Sequence, residues 1–166
     1  ASEDEVYYMF QNNENEILFY VLNKGVYSLN LRDLSISKEM MDMFPPDAQI
    51  RAMAKDVQGN IWIAEDELSC YNPKTKKLSR SFSTNQDGNT RFMLTQDLLA
   101  YGSSMLVGGR TSGVWSFPYH PNNAAHYFKG NQLDFDELKN KNVSLLYLDS
   151  QHYLWVGTYN MGVYRC

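Results

Sequence analysis

One phrase returns four times along the chain, at intervals that leave few folds open. Its clearest copies are Asp56-Val-Gln-Gly-Asn-Ile-Trp62-Ile-Ala and Asp149-Ser-Gln-His-Tyr-Leu-Trp155-Val-Gly-Thr, each with an Asp six residues before a Trp. In two degenerate copies the Trp position is taken by Leu18 and Leu106. Three copies then place a Gly seven residues beyond that anchor, at Gly25, Gly113 and Gly162, each followed by Val and an aromatic residue. The anchors at 18, 62, 106 and 155 are separated by 44, 44 and 49 residues. A period in the forties belongs to β-propeller blades or to helical HEAT-type arrays.

Local pattern decides between the two. Ile61-Trp62-Ile63, Leu154-Trp155-Val156 and Val143 to Leu148 are short, rich in β-branched and aromatic residues, and bounded by Gly, Asn, Asp and Ser, which is the signature of strands. The second unit divides into four, at 51–55, 60–64, 68–72 and 78–82, broken by Gln58-Gly59, by Glu65-Asp66-Glu67 and by Pro73-Lys74-Thr75. Four antiparallel strands per unit make a propeller blade. The expected fold is therefore all-β, one β-propeller segment spanning 1–166, with blades at about 6–38, 51–82, 92–128 and 143–166. The last blade is short of its fourth strand, and a piece of a larger propeller is expected. The Met-rich stretch from Met40 to Pro46 and the interval Lys129 to Asn142 read as connections between blades, with Asp134 a candidate cap for one helical turn through Leu138.

Composition removes several classes of function. Fifteen Lys plus Arg stand against nineteen Asp plus Glu, for a net charge of −4, and no basic stripe is present to neutralise a phosphate backbone, so nucleic acid is not an expected partner. No apolar run approaches the roughly 18 residues that a membrane helix needs. Cys70 and Cys166 have no C-x-x-C spacing and are too few for a disulfide framework; Cys70 reads as a small buried hydrophobe. The first residues, Ala-Ser-Glu-Asp-Glu, lack the pattern of a signal peptide.

The repeated residues read as scaffold. Trp62 and Trp155 should pack against a neighbouring blade, and Asp56 and Asp149 should accept backbone hydrogen bonds in an Asx-type turn that includes Gly59. Gly25, Gly113 and Gly162 should take a backbone conformation closed to other residues as each third strand begins. Variation gathers in the loops before those glycines, which in a propeller lie at one end around the central channel. There Asn23, Arg110, Tyr159 and Asn160 offer hydrogen bonds and an aromatic platform to a polar ligand such as a sugar. His120, His126 and His152 fall toward the opposite end, and no G-x-S-x-G, H-E-x-x-H or P-loop motif is present. No catalytic residue, metal site or cofactor is expected.

These motifs resemble the two-component regulator propeller repeats found in the periplasmic sensor region of hybrid two-component system proteins. Asp56 to Ile63, Asp149 to Thr158 and Gly162-Val-Tyr-Arg are similar to that family's Asp-x-x-Gly-Asn-x-Trp-Ile-Gly-Thr followed by Gly-Leu-x-x-Tyr. The sequence departs from it at Leu18 and Leu106, at Asn12 in place of the first Asp, and at Ala64-Glu65 in place of Gly-Thr. The resemblance implies a periplasmic ligand-sensing segment, with oligosaccharides of complex polysaccharides as ligands and a histidine kinase, membrane span and DNA-binding region outside this chain. Four blades could close a ring alone, or the open edges and faces of a fragment could be completed by the remaining blades of a full-length protein or by a second copy of the chain. Two other classes compete: a propeller enzyme like the streptogramin lyases, which needs a His and a Glu converging near the axis, and a protein-interaction propeller.

Overall fold

The computed structural model describes residues 5–39, 49–65, 68–81, 95–119 and 131–166. Extended pairing follows the repeat. The first sheet holds β1 (Val6–Asn13), β2 (Glu16–Val21), β3 (Gly25–Asn30) and β4 (Ile36–Glu39). The second holds β5 (Ala52–Lys55), β6 (Ile61–Ala64), β7 (Leu68–Asn72) and β8 (Lys77–Ser81). The third holds β9 (Thr95–Tyr101), β10 (Ser104–Gly109), β11 (Gly113–Pro118) and β12 (Asn131–Gln132), and the fourth β13 (Val143–Leu148), β14 (Leu154–Thr158) and β15 (Gly162–Arg165). Within each sheet every strand pairs antiparallel with its neighbour in sequence. The four sheets succeed one another around a ring, a four-blade β-propeller, and no α-helix occurs among the described residues.

The blades are held by their faces. The innermost strands pack in order, β1 on β5, β5 on β9 and β9 on β13. Between blades one and two, Leu18, Tyr20 and Val26 meet Met53, Ile61 and Ile63. Between two and three, Ala52, Trp62 and Leu68 meet Met105, Val107 and Phe117. Between three and four, Leu106 and Val114 meet Val143, Leu146 and Val156. Blades one to three thus each have a leading face covered by the next blade, and blades two to four a trailing face pressed on the one before. Gly108 lies where Val143 crosses; a β-carbon there would stand 2.6 Å from a Val143 methyl.

The strands β3, β11 and β15 begin at Gly25, Gly113 and Gly162, with φ of 99°, 68° and 85°. These values are in the region that L side chains avoid. Two details of the third blade differ from the sequence reading. Its fourth strand, β12, lies at Asn131–Gln132, past Phe128 and inside the stretch read as a connection, because Gln132 and Asn131 pair with Trp115 and Ser116. The turn through Leu138 forms, with the Leu138 and Lys139 amides both bonding to the Phe135 carbonyl. Asp134 does not cap it but makes an exposed ion pair with Lys139 instead. The Met-rich stretch, the Asp66-Glu67 pair, His120 and His126 lie outside the described residues.

Candidate functional site

The turns that link the second and third strands all lie at one end of the blades, and the chain enters each blade beside them. Leu22 N–H donates to the Glu5 carbonyl at 3.0 Å, Arg51 N–H to Ala64 at 2.8 Å and Tyr159 N–H to Asn142 at 2.9 Å. The Arg51 guanidinium adds a 2.6 Å bond to the Glu65 carbonyl. In the third blade Gly113 N–H donates to the Lys141 carbonyl at 3.2 Å, while the Trp115 indole and the Gln132 amide both donate to the Ser112 carbonyl, at 3.0 and 2.7 Å. Backbone and scaffold side chains therefore fix these turns and, in blades one, three and four, leave the tips to solvent.

The four expected site residues are all on these tips, in blades one, three and four. Asn23, Arg110, Tyr159 and Asn160 are exposed, Tyr159 by 66%. Their roles divide. Asn23 and Asn160 occupy the same position two residues before Gly25 and Gly162, with φ of 60° and 69°, where Asn is tolerated better than most side chains. They shape their turns. Arg110 and Tyr159 carry no such backbone duty, so a cation with five donors and an aromatic face are presented on a rigid rim.

Two groups nearer the axis were missed from sequence. Tyr8 on β1 donates its hydroxyl to the Met53 carbonyl of β5 at 3.3 Å. Asp97 on β9 accepts from the Leu146 amide of β13 at 2.7 Å and from Leu98 N–H at 2.9 Å. By register Tyr8 and Asp97 are equivalent positions of blades one and three: Tyr8 is opposite Tyr20 and Asp97 opposite Gly108, each two residues beyond its blade's anchor Leu. Met53 and Leu146 are likewise equivalent. Each side chain thus satisfies an innermost-strand backbone group that has no further strand to pair with. Burial, opposed by these two amide bonds, raises the Asp97 carboxyl above its ordinary range. Burial and the nearby Asp97 charge raise Tyr8 as well. The available signal was a lone Asp in the strand Thr-Gln-Asp-Leu-Leu-Ala-Tyr.

The opposite end carries the repeat's turns. Asp56 accepts from Gln58 N–H at 2.9 Å and Asn60 N–H at 2.8 Å, and its second oxygen from the Trp62 indole at 2.9 Å. Asp149 repeats this with Gln151, Tyr153 and the Trp155 indole at 2.8, 3.0 and 2.7 Å. His152 is exposed in that turn. A polar cleft of about 390 Å³ opens at the same end of blade one, lined by Asn13, Asn15, Glu16, Ser28 and Asn30 among others. Its Glu16 carboxylate is already engaged by Asn13 and by Ser28, at 3.1 and 2.6 Å. The Cys70 thiol is pushed up to about 12 by burial and then by Asp56, so it is not a nucleophile at neutral pH. Among the described residues no group of three His, Cys, Asp or Glu side chains is placed to hold a metal ion. The chemistry on offer at the loop end is hydrogen bonding and stacking.

Residues 137–160 match the family described as two component regulator propeller. Blade four is thus similar to a two-component regulator propeller repeat. The match includes Asp149, Trp155, Tyr159 and Asn160, so both the anchor pair and a variable turn of blade four lie within the repeat. The whole chain is similar to the extracellular domains of two proteins assigned to hybrid two component systems of B. thetaiotaomicron. One is 16% identical over 95% of this chain and 19% of its own, with a TM-score of 0.65. The other is 18% identical over 96% and 20%, with a TM-score of 0.52. The chain therefore spans about one-fifth of those domains. It is also similar to the Myceliophteria thermophila Cps50 (Swd1) β-propeller domain, at 11% identity over 95% of this chain and 54% of that one, with a TM-score of 0.66. At such identities the likeness is one of fold. No curated protein sequence matches the chain. No helix among the described residues is long and apolar enough to cross a membrane.

Proposed function

We propose that this chain is a ligand-sensing propeller segment from the periplasmic part of a hybrid two-component signalling protein, and that its ligand is an oligosaccharide. The observation that carries the reading is the two-component regulator propeller repeat at residues 137–160, set in a propeller whose scaffold is constant and whose turn tips vary. Arg110 supplies hydrogen bonds to sugar hydroxyls, Tyr159 an apolar ring face for a pyranose, and the backbone-fixed turns spare the loops themselves an ordering cost on binding. Binding is converted to a signal through parts of the protein that hold the histidine kinase, and polysaccharide-utilisation genes are the output.

Calorimetric titration with a panel of defined neutral oligosaccharides tests this. At least one should bind, and Arg110→Ala and Tyr159→Ala should each weaken it about tenfold or more while leaving the melting temperature unchanged, since both side chains are exposed. Asn23 and Asn160 are poor probes, because replacing them also disturbs a turn. A panel without a binder, or binding indifferent to both substitutions, would overturn the reading.

A further inference from the structure

Leu18 and Trp62 hold the same place in blades one and two, and the smaller side chain leaves room beside it. Leu18, Ser28 and Ser37 form one cross-strand row, with Glu16 and Asn30 in the next. In blade two the first of these rows reads Trp62, Cys70 and Ser79. This is the leading face of blade one, covered by blade two at Leu18, so the space lies inside a junction whose two blades are both in this chain. At the next junction Tyr119, the first residue after β11, lies across Trp62 with ring centroids 5.9 Å apart. The first residue after β7 is Pro73. Where blades two and three set two aromatic rings, blades one and two set a leucine and a proline, and the cleft of about 390 Å³ opens along Glu16, Ser28, Asn30 and Ser37. That volume is within the roughly 300–1,000 Å³ of small-molecule pockets.

The polar groups around this space are rearranged as well. In blade two the Asn60 amide donates to the Asp56 carboxylate at 2.9 Å. In blade one the amide belongs to Asn12 and the carboxylate to Glu16, the same bond with its ends exchanged. Glu16 accepts further bonds from Asn13 and Ser28, so all its donors are neutral, and it pairs with no cation among the described residues. The cations nearby are committed to neutral oxygens, Arg32 to the Asn15 side chain at 2.8 Å and Lys55 to the Asn12 carbonyl at 3.0 Å. Three donors leave one of the roughly four lone-pair positions of a carboxylate open. The Asn15 and Asn30 side-chain nitrogens donate to no described residue. Blade three is also anchored by a leucine, but Ser104 and Pro118 stand where blade one has Glu16 and Asn30, so it has no charge there.

We propose that this cleft is a second ligand site, for a small hydroxylated ring that carries an ammonium group, an amino sugar being the simplest such compound. The ammonium meets the unpaired Glu16 charge, the ring takes space that an indole fills in blade two, and ring hydroxyls accept from the Asn15 and Asn30 amides. The cleft is at the opposite end of the blades from Arg110 and Tyr159 and selects the opposite charge, so neither site's assignment depends on the other.

Amide chemical-shift mapping of the whole chain with glucosamine at pH 6 tests this, with shifts expected at residues 13–16, 28–30 and 35–37. N-acetylglucosamine keeps the ring and loses the charge, and cyclohexylamine keeps the charge and loses the hydroxyls; each should bind at least tenfold more weakly. Glu16→Gln should weaken glucosamine at least tenfold, and Leu18→Trp, which restores the anchor of blades two and four, should abolish its binding. Melting temperatures close to that of the native chain confirm that both variants fold, and the comparison of the three compounds needs no variant. Glucosamine that does not bind, shifts centred elsewhere, equal affinity for either control compound, or binding unchanged in a folded variant would each overturn the proposal.

Discussion

At the residue scale, the six-residue spacing between Asp and Trp is a hydrogen bond. The Asp oxygens close the turn with one atom and hold the indole with the other, and Trp62 is only 1% exposed. Trp62→Ala should cost about 3–5 kcal/mol through the cavity it leaves. Trp62→Phe should cost about 1.5–3 kcal/mol, close to a hydrogen bond to a charged group, and Asp56→Ala should cost more, since it strands the buried indole N–H as well as two turn amides; urea unfolding ranks the three. Blade one shows the pair's absence: Leu18 replaces Trp, and the Asn12 side-chain oxygen in the Asp position is buried with no donor. His152 occupies the position of Gly59, at φ of 65° against 86°. His152→Gly should therefore gain up to about 1 kcal/mol, the left-handed strain less glycine's entropy, and a loss would show that the imidazole makes a stabilising contact. Sequence predicted the Asp as a turn acceptor and the Trp as an inter-blade residue, but not that they bond to each other, since spacing alone does not reveal which side chains turn toward one another.

At the element scale, strands were legible wherever the repeat spoke. The glycine that opens each third strand was read from sequence, and its context was not. Gly113 has the Leu138 carbonyl 2.5 Å from where a β-carbon would stand, whereas the space around Gly162 is open. Gly113→Ala should be the more destabilising, by more than the about 1–2 kcal/mol of backbone strain expected at Gly162; equal costs would mean the Leu138 turn yields freely. β12 was illegible because its two residues carry no hydrophobic alternation and are defined only by their pairing with β11. The inner-strand clasps were hidden for a related reason: register between blades decides that Asp97 meets Leu146. Asp97→Ala should cost about 1–3 kcal/mol by leaving that amide unpaired. Because the native Asp97 pKa is raised, the folded chain binds its proton more readily than the unfolded one. The native chain's advantage over Asp97→Ala should accordingly grow as pH falls from 7 toward 4. Asp149, lowered mainly by the Trp155 indole bond, should act in the opposite sense, its contribution being full above about 4 and lost as pH falls through its native value. Thermal melts of both Ala variants from pH 7 down to about 2 check the two signs, the Asp97 change above about 4 and the Asp149 change below it.

At the scale of the molecule, architecture and site separate cleanly. The strands carry the repeat and build leading and trailing faces; the turns between second and third strands carry what differs from blade to blade. Fold class and the end that bears the variable turns could be read from period and motif, because scaffold residues recur. Arg110 and Tyr159 could be placed on that end but not ranked, and the axial pair Tyr8 and Asp97 could not be found, because nothing repeats at a position occupied by Tyr, Ala, Asp and Leu in successive blades. The most direct test of the division of labour is amide chemical-shift mapping during titration with an oligosaccharide from the panel. The account predicts shifts concentrated at residues 22–24, 110–112 and 159–161, with the Asp56 and Asp149 turns at the other end unmoved. Shifts centred on those turns or on the blade-one cleft, or none anywhere with any sugar, would contradict it.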